Sequence, residues 1–329
     1  MGAEVSGDGS EVRVIRSAIL WASRDPFLRR WAPRLRGVRW VLAKYMPGET
    51  FEAALDAATR LASQGITATF THLGENVEEL SQADLVTKHC LDVLDRVADQ
   101  GLDAEISVKL THLGLDLDPE ATFENLVRIV ERAELLGNWV WIDMESSEYV
   151  DRTLDLYGRA RERFPNIGIC LQACLRRTEE DVRKLVPLSP AIRLVKGAYE
   201  EAPPLAFTSR RAIDRNFLRL AIRTLEASRD RRIRLALGTH DVGLIQAVHR
   251  LAMARQLAMD EVEVQMLYGI RTPDQLELAR RGRDIRVLIA YGSNWYPWFM
   301  RRLAERPANA LLVIRGFFEA SRQTAVGEL

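Results

Sequence analysis

Residues 233–254 read IRLALGTHDVGLIQAVHRLAMA, and this stretch contains the repeating unit from which the fold is predicted. Its first six residues, 233–238, are a short apolar run that ends in glycine, which is typical of a buried strand. The residues that follow place apolar side chains at helical spacing and indicate an amphipathic helix. The unit is therefore one strand followed by one helix.

The same unit recurs along the chain, with a helical stretch after each apolar run. The runs cover residues 66–71, 104–110, 139–144, 167–172, 192–197, 233–238, 262–268 and 285–291. Nearly continuous apolar strands that alternate with helices favour a parallel sheet covered by helices. Eight units over about 230 residues predict a TIM-type (β/α)8 barrel. The alternative, a doubly wound sheet, normally carries a glycine-rich first turn, and the sequence has no GxGxxG motif or P-loop.

The domain organisation follows from what precedes the first strand. Residues 12–31 and 38–63 are predicted to be helical, with a turn at Pro47-Gly48. Helix starts are predicted at Asp118-Pro119 and, as a capping box, at Thr178–Asp181. We expect a flexible tail at 1–10, an N-terminal helical arm at 11–65 and a barrel at 66–320.

Composition excludes several classes of protein. Lys plus Arg and Asp plus Glu both number 46, so no net basic charge attracts nucleic acid. Three cysteines cannot form a disulfide framework. No apolar run approaches the roughly 18 residues of a membrane span, and no signal peptide is recognised. We expect a cytoplasmic protein, with any contact with the inner membrane being peripheral.

Polar side chains stand at the predicted carboxyl ends of the strands, where barrel enzymes have their sites. They include Lys109, Asp143, Gln172, Arg193 and Lys196. Further members of this set are Thr111, His112, Glu145, Tyr199, Thr239, His240, Asp241, Gln265, Tyr268 and Tyr291.

The set is rich in cations and amide donors, which suits a phosphorylated, ring-bearing cofactor together with an amino acid carboxylate. Histidine is scarce at the strand ends, so no metal site is predicted. The alternatives are a structural Lys109–Asp143 ion pair, a histidine satisfied by ordinary hydrogen bonds, and a solvated helix face at Arg301-Arg302.

Seven segments resemble the proline dehydrogenase family in its FAD-dependent, monofunctional form, in the same order and over roughly residues 40 to 315. They are ISVKLTHLGLDL (106–117), IDMES (142–146), CLQA (170–173), RLVKGAYEE (193–201), GTHD (238–241), VQMLYG (264–269) and WYPWFMRRLAERPAN (295–309). The resemblance implies a distorted (β/α)8 barrel that binds FAD noncovalently. It also implies oxidation of L-proline to pyrroline-5-carboxylate by hydride transfer to FAD, with electrons passed to a quinone-type acceptor. The downstream aldehyde dehydrogenase is expected on a separate chain.

The resemblance also implies roles for individual residues. Asp143 and Arg193 match active-site positions, with Arg193 near the reactive edge of the flavin. Lys109, Arg301 and Arg302 match the residues that bind the substrate carboxylate, and Glu305 matches an acid that steadies their helix. The positions that match FAD-binding residues are Met144, Gln172, Arg193, Lys196, Gly197, Ala198, Thr239, His240 and, at the adenine end, Gln265 and Leu267.

Two positions depart from the family pattern. Leu288 and Trp298 stand where the family usually has tyrosines that contact the substrate ring. The side of the pocket that faces the substrate ring, called here the substrate wall, is thus changed, while the carboxylate clamp of Lys109, Arg301 and Arg302 is retained. This combination favours a second hypothesis, a sister flavoenzyme that oxidises hydroxyproline or an N-substituted glycine. A third hypothesis is a catalytically silent barrel used for binding or regulation.

Overall fold

The computed structural model describes residues 38–39, 42–259 and 262–305, with the backbone alone for 302–305. Eight parallel strands close into a barrel in sequence order, and the last strand pairs with the first. The strands are β1 (Thr67–His72), β2 (Ala104–Val108), β3 (Val140–Ile142), β4 (Ile167–Gln172), β5 (Ala191–Val195), β6 (Arg234–Gly238), β7 (Val262–Leu267) and β8 (Ile285–Tyr291). The predicted (β/α)8 barrel is confirmed.

A helix follows each strand on the outside of the barrel, and within residues 42–66 a further helix precedes the first strand. The helices are α1 (Phe51–Ala62), α2 (Leu80–Asp99), α3 (Pro119–Leu135), α4 (Val150–Arg161), α5 (Thr178–Leu185), α6 (Arg210–Ala227), α7 (Val242–Ala254), α8 (Thr272–Arg280) and α9 (Trp295–Glu305). Their buried apolar residues and those of the strand faces turned toward them form the main core.

Four strands, β2, β3, β5 and β7, end one or two residues earlier than the sequence pattern predicts, and the ends of β3 and β5 belong to the site. Asp143 and Met144 follow β3, and Lys196 and Gly197 follow β5. These residues lie beyond the regular ladder, and ion pairs at the barrel mouth hold the side chains of Asp143 and Lys196. Gly197 has a φ of 115°, a conformation that a side chain would strain.

The predicted N-terminal arm is only partly described. The helix predicted over 12–31 and the tail at 1–10 lie outside the described residues, as do residues 306–320 of the predicted barrel. Within the stretch predicted as helical at 38–63, α1 begins at Phe51, because Thr50 accepts a hydrogen bond from the Ala53 N–H. Phe51 packs against Phe70 and Tyr291, with ring centroids 5.1 and 5.5 Å apart. This contact holds α1 against β1 and β8.

The predicted helix starts have different outcomes. Asp118 accepts hydrogen bonds from the N–H groups of Glu120 and Ala121, and α3 begins at Pro119 as predicted. The capping box predicted at Thr178 is wrong, because Thr178 is already the first residue of α5. Its hydroxyl donates instead to the Gln172 carbonyl, and Asp181 accepts from Arg177. The Thr178 and Asp181 side chains that the local pattern predicts to cap the helix thus form other hydrogen bonds. Among the described residues, no helix is both long and apolar enough to cross a bilayer.

Candidate active site

Three side chains from neighbouring parts of the barrel form one hydrogen-bonded layer inside it. Arg193 on β5 donates from Nη1 to Asp143 Oδ1 at 3.0 Å and to Ser107 Oγ at 3.1 Å. Ser107 on β2 donates to the same Asp143 oxygen at 2.7 Å. Arg193 is almost completely buried, so its charge depends on Asp143 for compensation. The structure therefore brings the two predicted catalytic residues together as an ion pair.

Several buried polar atoms that face the barrel interior have unused hydrogen-bonding capacity. They are Arg193 Nε and Nη2, the hydroxyls of Thr69 and Thr71, and Gln265 Oε1, none of which has a partner among the described residues. Buried polar groups in native proteins are nearly always hydrogen-bonded, to protein, water or ligand. The interior is therefore prepared for a polar ligand or ordered water.

Cations and acids alternate at the mouth above this layer. Lys109 Nζ lies 3.7 Å from Asp143 Oδ2, so this aspartate lies between two cations. Glu145 accepts hydrogen bonds from the hydroxyl and N–H of Thr111 at 2.7 and 3.3 Å. Burial raises the pKa of Glu145 to about 7, although the Thr111 hydrogen bonds and Lys109 act in the opposite direction. Glu145 is thus an acid that changes charge near neutral pH.

Arg301 on α9 reaches the mouth from outside the barrel. Its guanidinium forms an ion pair with Glu75, which lies in the loop after β1. The Arg301 Cζ atom lies 5.6 Å from the centre of the Tyr199 ring. Burial lowers the pKa of Arg301 and the neighbouring Glu75 raises it, with a net rise. Arg301 therefore remains a cation, and it is already bound to a carboxylate.

A second charged group lies beside the ends of β5 and β6. Lys196 Nζ contacts Asp214 at 2.5 Å and Asp241 at 3.0 Å. Burial acts to raise the pKa of Asp241, but the hydrogen bond from Lys196 and other contacts lower it overall. Thr239 accepts from the Asp241 N–H, and half-buried His240 stands between these two residues. A phosphate that binds to Lys196 must share it with two aspartates.

The chain passes very close to its neighbours at Gly197. A Cβ atom there would lie 2.2 Å from Cys174 Sγ and 3.4 Å from Gln172 Oε1. Gln172 itself donates to the Glu145 carbonyl at 2.9 Å. The predicted cofactor residues Gln172 and Gly197 thus lie together between the Arg193 layer and the Lys196 group.

The remaining predicted residues are more dispersed. Met144 belongs to the main core, and Ala198 is half-buried. Gln265 donates to Glu263 deeper in the barrel, while Leu267 ends β7. Trp298 belongs to an apolar cluster with Leu73, Ala290 and residues of the arm, and Leu288 is half-buried on β8. Arg302 and Glu305 lie on α9, and their side chains are outside the described residues.

Three histidines pack together beside Lys109. The ring of His72 lies 4.6 Å from that of His89 and 5.4 Å from that of His112, between centroids. Burial, with mutual repulsion and Lys109, lowers the pKa of His72 to about 4 and that of His112 to about 3. These imidazoles are neutral at pH 7. No group of three or more metal-ligating side chains among the described residues is arranged to hold an ion.

Sequence reasoning missed two members of the site. Glu75 lies in a loop, three residues after the end of β1, where the strand pattern carries no signal. Ser107 lies within an apolar run whose pattern indicates only a buried strand. Its position two residues before Lys109 is the available signal, since side chains two apart on a strand face the same side.

Comparison with known proteins finds relatives that match nearly the whole length of this chain. A sequence model of the family described as Proline dehydrogenase matches residues 54–314. Proline dehydrogenase 2 from Bacillus subtilis subsp. natto is 37% identical over 303 residues, which cover 92% of this chain and 98% of that protein. Proline dehydrogenase from Deinococcus radiodurans is 32% identical over 313 residues, covering 93% and 99%.

Solved structures share the fold at lower identity. Proline utilization A from Bdellovibrio bacteriovorus, inactivated by N-propargylglycine, has a TM-score of 0.76 and 20% identity over 90% of this chain. The chain spans 40% of the length of that protein. Proline utilization A from Bradyrhizobium japonicum has a TM-score of 0.70, also at 20% identity, over 85% of this chain and 32% of its own. With the family match over most of its length, the chain belongs to the proline dehydrogenase family and is an oxidoreductase.

Proposed function

We propose that this protein oxidises L-proline to pyrroline-5-carboxylate with FAD as the bound oxidant. Family membership supports the reaction class. The observation that carries the proposal is the Arg193 layer, in which two nitrogen atoms of a buried guanidinium, Nε and Nη2, have no partner among the described residues. Their N–H groups fit the nitrogen and oxygen atoms of a planar heteroaromatic ring.

The residues at the barrel mouth include the hydrogen-bond donors and cations that a flavin ring and its phosphates require. Arg193 and Gln172 would meet the ring, and Gly197 lets the chain pass close to Cys174 and Gln172 where a Cβ atom would not fit. Lys196, Thr239 and His240 would hold the phosphates, with Met144, Ala198, Gln265 and Leu267 around them. When bound, FAD supplies the two-electron acceptor that the amino acid side chains lack.

Lys109 and Arg301 would bind the substrate carboxylate, together with Arg302. Lys109 is fixed beside Asp143, and Arg301 is fixed by Glu75. A carboxylate that binds Arg301 competes with Glu75 for the same guanidinium, so substrate entry requires that ion pair to loosen. Two-point binding of the carboxylate limits how the rest of the substrate can lie, which converts binding energy into orientation.

Asp143 has a supporting part in this scheme. It accepts from Arg193 and Ser107 through one oxygen and faces Lys109 with the other. It therefore keeps two cations at fixed positions, one beside the proposed ring and one beside the proposed carboxylate. The carbon to be oxidised would lie between them.

A second candidate is oxidation of a related carboxylated secondary amine, namely hydroxyproline or an N-substituted glycine. The half-buried Leu288 on β8 favours it, because an aliphatic side chain offers no hydroxyl and a different shape at that wall. Differences of this kind change substrate preference by about 1–3 kcal/mol.

The visible absorption of the purified protein tests both candidates. We expect a flavin spectrum that bleaches when L-proline is added without oxygen. Bleaching that is stronger with hydroxyproline or sarcosine than with proline would favour the second candidate. A coloured protein that none of these amines reduces would refute both, and a colourless protein that takes up no FAD would favour the silent barrel.

We further propose a quinone-type electron acceptor and consumption of the product by an aldehyde dehydrogenase on another chain. Both rest on family membership. Reoxidation of the proline-reduced protein by a soluble quinone, followed at the flavin band, tests the first. Product accumulation in a mixture with and without such a dehydrogenase tests the second.

A further inference from the structure

Trp141 fills the centre of the barrel below the Arg193 layer. It lies on β3 and is completely buried. Ala191 and Ala236 form its apolar surroundings, and a Cβ atom at Gly168 would lie 2.5 Å from the indole carbons Cε3 and Cζ3. Three small residues on adjacent strands thus leave room for one large aromatic ring.

The contacts of Trp141 reach upward to the site. The Arg193 Cζ atom lies over the indole, 4.7 Å from the ring centre. This is cation–π geometry, and such contacts are strongest where water is excluded. Arg193 therefore has three supports: Asp143 and Ser107 at Nη1, and the indole face beneath its guanidinium. None of them uses Nε or Nη2.

The same indole is also anchored from below. Its Nε1–H donates to Glu105 Oε2 at 2.6 Å, and the Arg234 Cζ atom lies 5.2 Å from its ring centre. Buried Glu105, Glu263 and Arg286 form an ion network with half-buried Arg234, called here the floor network. Its ion pairs are Arg234–Glu105 at 2.7 Å, Arg286–Glu263 at 2.9 Å, Arg286–Glu105 at 3.3 Å and Arg234–Glu263 at 3.3 Å.

A ring held on both sides in this way has little rotational freedom. The close fit to Gly168 restricts tilting, and the hydrogen bond to Glu105 fixes the direction of the indole N–H. A residue that only filled space would need neither the acceptor below nor the cation above. The indole is therefore fixed in place between Glu105 and the Arg193 guanidinium.

We propose that Trp141 is a positioning residue for Arg193, holding the guanidinium against the bound flavin so that the flavin is more easily reduced. This inference rests on the proposed function for the identity of the ligand. Trp141 does not touch the ligand in this scheme; it acts through Arg193. The carboxylate-binding groups Lys109 and Arg301 have other partners, Asp143 and Glu75.

The test compares three variants of the full-length, FAD-loaded protein. Trp141→Phe keeps a ring for Arg193 and removes the N–H donor to Glu105. Trp141→Leu removes both interactions. Trp139→Leu is the matched control. Trp139 directly precedes the same strand, and the Arg234 Cζ atom lies 4.7 Å from its ring centre. The Arg193 guanidinium lies over Trp141 instead. The measurements are the flavin midpoint potential, and kcat and KM for L-proline.

We expect Trp141→Leu to lower the equilibrium constant for flavin reduction and kcat by about three- to tenfold, the range of a buried cation–π contact. A tenfold change corresponds to about 30 mV for a two-electron couple. KM for proline should stay within about twofold, because the carboxylate clamp is intact. Trp141→Phe should recover most of the loss, and Trp139→Leu should behave as the wild type.

Three results would overturn the inference. One is an unchanged potential and kcat in Trp141→Leu, another is an equal effect of Trp139→Leu, and the third is a loss confined to KM.

A double-mutant cycle tests the contact between Trp141 and Arg193 without flavin, so it applies even if the protein or the Trp141→Leu variant binds FAD poorly. It measures unfolding of Trp141→Leu, Arg193→Met and the double variant without ligand. Coupling above about threefold in the unfolding constant supports the contact, and strict additivity refutes it. Absence of flavin from the wild type would refute the proposed function separately.

Discussion

Replacing Glu145 by Gln should change how the stability of this protein depends on pH. Glu145 is buried beside Thr111, and burial raises its pKa from 4.5 to about 7. A carboxyl whose folded pKa is raised binds its proton more tightly in the folded state. Its stabilising effect is therefore complete below the unfolded pKa and is lost as pH rises through the folded pKa. For the wild type, the relevant window runs from about pH 4.5 to about pH 7.

The magnitude follows from the size of that shift. Each unit of pKa corresponds to about 1.4 kcal/mol, so ionisation of Glu145 costs about 3 kcal/mol once pH exceeds 7. Between pH 5 and pH 8 the wild type should lose about 2.5 kcal/mol through this residue alone. Glu145→Gln cannot ionise and its amide oxygen can still accept from Thr111. The variant should therefore gain that amount relative to the wild type over the same interval.

Urea unfolding of the purified protein at pH 5 and pH 8 measures the effect. Glu120→Gln is a suitable control, because Glu120 is exposed and its hydrogen bond with Arg159 lowers its pKa. That control should not become relatively more stable at the higher pH. If Glu145→Gln and the wild type lose stability in parallel from pH 5 to pH 8, Glu145 is not a buried acid with a raised pKa.

Three further predictions concern the clamp, the barrel interior and the substrate wall. Arg301→Met should raise KM for L-proline at least about tenfold through loss of a charge-assisted contact, and unchanged KM in steady-state kinetics would remove Arg301 from the clamp. Gly168→Ala should destabilise by about 1–3 kcal/mol because its Cβ would lie 2.5 Å from Trp141. In the control Gly158→Ala nothing lies within 4 Å of the new atom, so denaturant unfolding should show no loss, and equal losses would contradict the packing argument. Leu288→Tyr should change the ratio of kcat/KM between proline and hydroxyproline by about 10- to 100-fold, and an unchanged ratio would show that this wall does not select the substrate.

Most of the barrel could be predicted because its signals are local. Each strand is an apolar run of fixed length, and each helix shows its own periodicity, so neither requires knowledge of distant residues. The predictions failed where a local pattern competes with a tertiary contact. Thr178 has the sequence of a helix cap, yet its hydroxyl donates to the Gln172 carbonyl at the end of β4.

The site residues divide in the same way into those that a local pattern indicates and those that depend on a tertiary contact. Lys109, Asp143 and Arg193 were identifiable because charged residues at strand ends are unnecessary for closing a barrel, and the structure brings them together. Glu75 was not identified because it lies in a loop, and its partner Arg301 is more than 200 residues away along the chain. The spacing of residues along the chain does not predict the ion pair between Glu75 and Arg301.

Amino-acid patterns predict the order of strands and helices, the parallel barrel they form and the end of the barrel at which polar side chains gather. These depend on hydrophobic periodicity and on the rule that parallel strands direct their carboxyl ends to one face. The folded barrel is needed to see which charges neutralise one another, which donors have no partner among the described residues, and that Trp141 lies beneath Arg193. The physical reason is that burial and Coulomb interactions depend on distances between atoms on different strands, and those distances exist only after the barrel has closed.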